Sequence, residues 1–313
     1  MEREARSVSG STRRSGEVRI VQLTDLHLTP RDGDERSEPD LLGALQGMNG
    51  VFRQLLRARE VSGADLLLVT GDVTDRGDAA TWQRFWRELR GAGLAARTFV
   101  LPGNHDVCSL GVRLGREHER RAADLRRLRA GLAHGDHDGR FPSVRVLAGG
   151  RVAVFALDSS NAGNATLLTN AVGSLGQRQL ERLARLLRRH RDVPVKLVAL
   201  HHSPNIPHPK VEAARGLKQT GAVWRWGHEL PEAERRALRL LCLTHGVQAL
   251  IHGHLHRAED RRVGGVRIVG APASTEPAGK GSRRVAGLWS YVVPERRDQL
   301  TVRWTEVPVP RPG

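Results

Sequence analysis

The stretch DLLLVTGDVTD, residues 65–75, decides which fold this chain adopts. Residues 65–70 form a short apolar run, which predicts a buried β-strand. The run is followed by a glycine and then by two carboxylates, Asp72 and Asp75. Because ligands in α/β proteins bind where strands end at their carboxyl edge, this junction predicts part of a functional site.

The same arrangement recurs along the chain. Four other segments predict strands: residues 18–23, 97–101, 195–200 and 247–251. Each is followed by polar residues of metal-ligand type: Asp25 and His27, Asn104 and His105, His201, and His254 and His256. Helical patterns lie between the strands, over residues 79–90, 113–132, 177–190 and 231–243. The alternation predicts an α/β fold that gathers these side chains at one edge.

Further elements are predicted around this alternation. A capping pattern at Ser37 to Asp40 and apolar spacing through Leu55 predict a helix that three glycines weaken. Hairpins are expected around Gly149-Gly150 and at residues 263–266, and late strands over 288–293 and 300–307. Since no repeat or linker interrupts the pattern, we expect one domain over residues 17–307, with tails at 1–16 and 308–313.

Composition excludes several classes of protein. The 313 residues are 39% hydrophobic and 27% charged, as in globular proteins, so a disordered or fibrous chain is excluded. Cys108 and Cys242 form no CxxC pair, which excludes a disulfide framework and a thiolate zinc site and predicts a cytoplasmic protein. No apolar stretch approaches the ~18 residues of a membrane span. The net charge of +16 invites a nucleic-acid partner, but the arginines that dominate it are spread along the chain.

The strand-end residues predict a metal centre. Carboxylate oxygen, amide oxygen and imidazole nitrogen together suit borderline divalent ions such as manganese, iron and zinc. The set has seven members, too many for one tetrahedral ion: Asp25, His27, Asp72, Asn104, His201, His254 and His256. Two ions with one shared carboxylate and a bridging water account for seven ligands more naturally.

The order of these motifs resembles that of the calcineurin-like metallophosphoesterase superfamily. The pattern runs Asp-x-His, Gly-Asp-x-x-Asp, Gly-Asn-His-Asp, His and Gly-His-x-His, and every position is present between residues 18 and 270. The runs Leu23-Thr24-Asp25-x-His27 and His201-His202-Ser203-Pro204 are most similar to the class III cyclic-nucleotide phosphodiesterase branch. The resemblance implies two stacked mixed β-sheets flanked by helices.

The resemblance also implies a role for each residue. Asp25, His27 and His256 would bind one ion. Asn104, His201 and His254 would bind the other, and Asp72 would bridge both. His105 would contact the phosphate and protonate the leaving oxygen as a general acid. Asp75 and Asp106 would orient the ligands.

The implied activity is hydrolysis of a small phosphodiester, such as a 3′,5′-cyclic nucleotide, by in-line attack of a metal-bridging hydroxide. Three alternatives stay open: a nuclease of the same superfamily, a phosphomonoesterase, and a non-catalytic protein-interaction scaffold. The net charge of +16 motivates the nuclease, although the chain contains no recognisable nucleic-acid module. The intact motifs argue against the scaffold. The sequence does not decide the oligomeric state.

Several other residues are candidate substrate contacts. His202 neighbours His201 and is either a substrate contact or, if the strand register is shifted by one residue, the ligand in its place. Loops after core strands carry specificity, so we also expect substrate contacts at Asn161, Asn205 and His208. Trp224 and Trp226 either stack on a nucleobase or simply bury apolar area.

Overall fold

Two β-sheets lie face to face between two layers of helices in the computed structural model of this chain. The structure describes residues 16–36, 46–107, 117–135, 138–160, 171–206, 213, 221, 228–279, 284–296 and 298–309. Of residues 117–124 it describes the backbone alone. Within these ranges no helix combines the length and apolarity needed to cross a membrane.

The first sheet has five strands in the order β11-β10-β1-β2-β3. Its strands are β1 (Val18–Leu23), β2 (Leu66–Thr70), β3 (Thr98–Leu101), β10 (Val285–Val293) and β11 (Thr301–Pro308). Strands β1, β2 and β3 are parallel, whereas β10 and β11 pair antiparallel. The carboxyl ends of β1, β2 and β3 therefore lie at one edge.

The second sheet has six strands in the order β4-β5-β6-β7-β9-β8. Its strands are β4 (Ser143–Leu147), β5 (Val152–Ala156), β6 (Val195–Ala199), β7 (Val247–His252), β8 (Glu259–Val263) and β9 (Val266–Gly270). Strands β5, β6, β7 and β9 are parallel, and β4 and β8 close the edges antiparallel. Both sheets are mixed, as the resemblance implied.

Helices cover the outer faces of the two sheets. Those of the described chain are α1 (Met48–Arg57), α2 (Arg59–Ser62), α3 (Ala79–Gly91), α4 (Asn104–Val107), α5 (Glu117–Ala133), α6 (Gln177–Arg189) and α7 (Glu232–Thr244). Phe52, Phe85 and Trp86 pack on the five-stranded sheet, while Leu183 and Leu238 pack on the six-stranded sheet.

The period-two alternation of strand side chains divides the core into three layers. In β1, Ile20 faces the six-stranded sheet and Val21 faces the helices. Val154 of β5 and Leu197 of β6 meet Ile20 in the apolar layer between the sheets. Because apolar burial stabilises by about 25 cal/mol per Å², this layer fixes how the two sheets stack, and so where their strand ends meet.

One predicted helix is not continuous through Gly47. The pattern from Ser37 to Leu55 predicted one helix. The described part of this segment contains α1, which begins at Met48, and residues 37–45 lie outside the described residues. Gly47 precedes α1 with a φ of 80°, a left-handed conformation that ends helical continuity and that glycine adopts without strain. The predicted Ser37–Asp40 cap and most of both predicted tails lie outside the described residues.

Candidate metal centre

The ends of five strands, three from one sheet and two from the other, converge at one edge of the sandwich. Backbone hydrogen bonds join the loops that follow β1 and β2: Asp25 N–H donates to Gly71 O at 3.1 Å, and His27 N–H donates to Asp72 O at 3.0 Å. In the other sheet Gly253 N–H donates to His201 O at 3.1 Å. The loops therefore hold the predicted ligand positions in a fixed relation to one another.

The structure groups the predicted ligands into two clusters. Asp25, His27 and His256 offer ligand atoms that lie within 4.8 Å of one another, and Asp72, His201 and His254 do the same. We call these the first and second clusters. His256 Nε2 lies 3.3 Å from Asp25 Oδ1 in the first cluster.

Asn104 and His201 meet in the second cluster. The Nε2 atom of His201 lies 3.2 Å from Asp72 Oδ2 and 3.1 Å from Asn104 Oδ1. Its Nδ1–H donates to the Thr70 carbonyl at 2.8 Å. This hydrogen bond orients the ring, so that Nε2 is the nitrogen that points into the cluster.

Asp72 lies between the two clusters. Its Oδ2 atom is 3.2 Å from His201 Nε2 and 3.8 Å from His27 Nε2. Its Oδ1 atom accepts a hydrogen bond from His105 N–H at 2.8 Å. One carboxylate therefore faces both clusters, as a bridging ligand requires.

Five of the predicted ligand positions have a strained backbone. The φ angles are positive at Asp25 (50°), His27 (42°), Asp72 (50°), His254 (68°) and His256 (48°). A residue with a Cβ atom in this left-handed region costs on the order of 1–3 kcal/mol and persists where the surrounding structure imposes it. Such strain is characteristic of functional sites, where side-chain placement takes precedence over backbone preference.

The motif glycines make room for the ligands. A Cβ atom on Gly103 would lie 2.1 Å from Asp72 Oδ1, and one on Gly253 would lie 2.6 Å from Asp25 Oδ2. A Cβ atom on Gly71 would lie 2.5 Å from His201 Nδ1. Each glycine therefore leaves the space that a ligand from another loop, or from the other sheet, occupies.

The residues of both clusters fit a divalent cation. Three buried nitrogen atoms have no hydrogen-bond partner among the described residues: both ring nitrogens of His27 and the Nε2 atom of His254. Burial lowers the pKa of both histidines well below the usual value, so each offers a neutral nitrogen lone pair. Buried nitrogens without a partner, surrounded by carboxylates, are what a metal ion satisfies.

The carboxylates of the clusters are held in the charged form. Burial opposes ionisation, but the neighbouring histidines outweigh it and lower the pKa of Asp25 and, further, of Asp72. In return, although burial opposes it, these carboxylates raise the pKa of His201 to about 9 and of His256 to about 10. The site is thus built around negative charge that a cation neutralises.

His105 and Asp75 adjoin the first cluster. The Nδ1–H of His105 donates to the backbone carbonyl of Asp75 at 3.0 Å, so Nε2 is the ring nitrogen outside this hydrogen bond. The ring lies edge-on to His27, with 4.6 Å between the centroids. Asp75 Oδ1 lies 3.8 Å from His27 Nδ1. Asp75 therefore orients the His105 ring through its backbone carbonyl, and its side chain lies beside the His27 ring without a hydrogen bond to it.

Asp106 joins the loops after β2 and β3. Its carboxylate accepts hydrogen bonds from Gly103 N–H at 3.0 Å, Val73 N–H at 3.2 Å, and Thr74 N–H at 2.9 Å and Oγ1–H at 3.0 Å. Burial, followed by the Asp72 carboxylate, raises the pKa of Asp106 to about 6. Asp106 is placed to support the loop geometry and lies outside the two clusters.

The Nδ1 atom of His202 faces Ser159 and not the ligand atoms of the clusters. The Ser159 hydroxyl oxygen accepts hydrogen bonds from the backbone N–H of His201 at 3.3 Å and of His202 at 3.1 Å. Its own hydrogen is therefore donated to His202 Nδ1, which lies 2.9 Å away. This network favours the tautomer with the proton on Nε2, a buried atom with no partner among the described residues. The ring centroid lies 4.5 Å from that of His254.

Three nearby residues were missed by the sequence reasoning. His228 lies 5.2 Å from His254 between ring centroids. Glu276, in the loop after β9, lies 3.2 Å from His256 Nδ1, and Arg36, in the loop after β1, forms an ion pair with Glu276. The rule that a metal-bound histidine donates its other N–H to a carboxylate predicts such a partner, but no motif identifies which carboxylate it is.

The remaining candidate substrate contacts stay predictions. The Asn205 carboxamide oxygen accepts a hydrogen bond from Arg261 at 2.9 Å, so its orientation is fixed by the six-stranded sheet. Asn161 and His208 lie outside the described residues, as do Trp224 and Trp226.

Comparison with known proteins identifies the same family that the motifs resemble. A profile described as calcineurin-like phosphoesterase matches residues 18–258. The 3′,5′-cyclic adenosine monophosphate phosphodiesterase CpdA of Pseudomonas aeruginosa is 28% identical over 85% of this chain and 79% of its own length. The protein of the same description from Haemophilus influenzae is 25% identical, over 82% of this chain and 76% of its own length.

The fold is shared with solved structures of low sequence identity. A dimetal phosphatase from Danio rerio superposes with a TM-score of 0.60 at 12% identity, covering 93% of this chain and 98% of that one. At this identity the likeness concerns the fold alone, and it agrees with two mixed sheets flanked by helices.

Proposed function

Because this chain belongs to the calcineurin-like phosphoesterase family, and is therefore a metal-dependent phosphoester hydrolase, we propose that it cleaves a small phosphodiester such as a 3′,5′-cyclic nucleotide. The observation that carries the proposal is the position of Asp72, whose one carboxylate faces both ligand clusters. The relatives described as cyclic adenosine monophosphate phosphodiesterases support the diester and the cyclic nucleotide.

Two divalent ions of the manganese, iron or zinc type are part of this proposal. Asp25, His27 and His256 would hold the first ion. Asn104, His201 and His254 would hold the second, and Asp72 would contact both. When bound, such a pair supplies positive charge at the phosphoryl oxygens and lowers the pKa of water.

His105 is proposed as the general acid. Its Nδ1–H is committed to the Asp75 carbonyl, so the proton for the leaving oxygen is carried on Nε2. The adjacent T-shaped contact with His27 keeps the ring beside the first cluster. Asp75 and Asp106 act by orienting their neighbours, and neither needs to touch the substrate.

The test compares diesters with monoesters on one preparation. Protein loaded with Mn²⁺ is assayed against cyclic AMP, cyclic GMP, bis-p-nitrophenyl phosphate and p-nitrophenyl phosphate, and bound metal is counted. We expect diester cleavage with two ions per chain. We also expect a loss of at least ~100-fold in Asp72→Asn, because asparagine keeps the shape of the side chain but removes its negative charge, and loss of even an outer partner of a metal ligand costs about 10–100-fold. A preference for the monoester, or full activity in Asp72→Asn, contradicts the proposal.

A nuclease is the second candidate, favoured by one surface. Helix α6 exposes Arg178, Arg182, Arg185 and Arg189 at helical spacing on its outer face. A polyanion bound there would make cleavage steeply dependent on salt, because each neutralised phosphate releases a counterion. Salt-dependent cutting of single-stranded or duplex DNA that exceeds the rate on cyclic AMP would favour this candidate. Salt-independent cleavage of cyclic AMP alone would remove it.

A further inference from the structure

A buried arginine lies behind the first cluster and connects two of its histidines. The Arg36 side chain is 2% exposed, which is rare for a charged group and requires partners of opposite charge. Its Nη1 atom forms a short ion pair with Glu276 Oε1. Its Nε atom lies 4.0 Å from Asp75 Oδ1. The guanidinium therefore sits between two carboxylates that come from distant parts of the chain.

Each of these carboxylates in turn faces a histidine of the first cluster. Glu276 Oε1 lies 3.2 Å and Oε2 lies 3.3 Å from His256 Nδ1. Asp75 Oδ1 lies 3.8 Å from His27 Nδ1. In both rings the opposite nitrogen, Nε2, faces an aspartate, Asp25 for His256 and Asp72 for His27. The Nδ1 atoms are therefore the ones that supporting groups can hold.

We propose that Arg36 and Glu276 form a clasp that positions His256, and so sets the affinity of the first cluster for its ion independently of the second. The proposal rests on the proposed two-ion function and adds a pair of positioning residues to it. A histidine whose Nδ1–H is donated to a carboxylate presents Nε2 in a fixed direction and with raised basicity. Arg36 keeps Glu276 and Asp75 in place by occupying the space between them.

The second cluster has a different support, which makes the effect separable. His201 is oriented by the Thr70 carbonyl at 2.8 Å, with no part of the clasp involved. Asp72 is the one group that both clusters share. A change at Glu276 should therefore weaken one ion and leave the affinity for the other nearly unchanged.

The experiment measures metal affinity in two backgrounds. His254→Ala disables the second cluster and His27→Ala disables the first, so each background reports on one ion. Metal-free protein of each background is titrated with Mn²⁺, with and without Glu276→Gln. We expect Glu276→Gln to weaken Mn²⁺ binding by about 10–100-fold in the His254→Ala background and by less than about 2-fold in the His27→Ala background.

Glu259→Gln is the matched control. Glu259 is also a buried carboxylate that bonds a histidine, His252 Nε2 at 2.8 Å, but neither belongs to a cluster. We expect it to lower stability without changing Mn²⁺ affinity in either background. Glu276→Asp, which keeps the charge, should recover part of the lost affinity, and Arg36→Met should reproduce the loss.

The outcomes separate the clasp from the function on which it rests. Equal weakening in both backgrounds shows a merely structural role and overturns the clasp, as does unchanged affinity in both. If the unmodified protein binds no Mn²⁺, the two-ion function itself fails. If it binds two ions and Glu276→Gln behaves like Glu259→Gln, the function stands and the clasp is wrong. Should a background variant unfold, the same comparison is made with Arg36→Met and Glu276→Gln in the unmodified chain, following two-step Mn²⁺ binding.

Discussion

Replacing Gly103 by alanine should disable the site through a single methyl group. The added Cβ atom would lie 2.1 Å from Asp72 Oδ1 and 2.3 Å from Asp72 N, whereas ordinary contacts begin at 3.4 Å. Asp72 must therefore move by about 1 Å, and the parallel pairing of β2 with β3 limits how its backbone can do so. Because Asp72 faces both clusters, the displacement affects both clusters.

Two magnitudes follow. Misplacing a catalytic group by about 1 Å costs roughly 100-fold in rate, so we expect kcat to fall by about that factor and bound Mn²⁺ to drop below one ion per chain. Overpacking a closely packed position costs about 1–3 kcal/mol, which should appear as a lower free energy of unfolding. The assays are metal counting, hydrolysis of bis-p-nitrophenyl phosphate and urea unfolding.

Gly91→Ala provides the control. Gly91 is the last residue of α3, is exposed, and an added Cβ atom would meet nothing within 4 Å. Alanine there should stabilise the helix by at most ~1 kcal/mol and leave hydrolysis unchanged. If Gly103→Ala retained metal binding and hydrolysis within about threefold of the unmodified protein, as Gly91→Ala should, the explanation of the motif glycines would be wrong.

Three other predictions concern separate parts of the molecule. Burial opposes ionisation of Glu259, but His252 and Arg261 lower its pKa to about 2, from 4.5 in the unfolded chain. The ionised carboxylate therefore stabilises the fold above pH 4.5, and this stabilisation is lost as the pH falls towards 2. Urea unfolding at pH 7 should show that Glu259→Gln lowers the free energy of unfolding by on the order of 2–3 kcal/mol. The difference between the two proteins should close below pH 4.5. His202 is a predicted substrate contact, and His202→Phe keeps a ring but removes the buried Nε2–H. The loss of this donor should lower kcat/KM about tenfold and leave the metal content unchanged. Loss of one ion would show instead that His202 is a ligand. Removal of bound metal by a chelator should lower the melting temperature, because an ion present at 100 times its Kd raises the free energy of unfolding by about 2.7 kcal/mol. An unchanged melting curve would argue against bound ions.

The places of the two clusters' residues along the chain could be predicted because they follow from local patterns. Strand β7 was expected over residues 247–251 and runs Val247–His252, so the expected position of His254 just beyond its end was correct. Gly47 shows the limit of periodicity: the apolar spacing continues through it, but its left-handed backbone prevents a helix from being continuous across this position.

The supporting residues could not be predicted for a physical reason. Arg36 and Glu276 lie 240 positions apart and meet because two loops from different sheets converge. The orientation of His202 depends on Ser159, 43 residues earlier, whose hydroxyl has one hydrogen to donate. Neither contact leaves a periodic or motif signal, since the first depends on how loops of the two sheets meet and the second on the pairing of β5 with β6.

Each ligand cluster takes residues from both sheets. Asp25 and His27 follow β1 of the five-stranded sheet, whereas His256 follows β7 of the six-stranded one. Binding an ion at either cluster would therefore be coupled thermodynamically to the contact between the sheets. Ile20 lies in the apolar layer between the sheets, and a substitution such as Ile20→Val that loosens the stacking should lower the affinity for the ions. By reciprocity, the factor by which the affinity falls equals the factor by which bound ions oppose the loosening. Residues that never touch the substrate thereby acquire a share in the metal affinity, and selection for activity extends into the hydrophobic core.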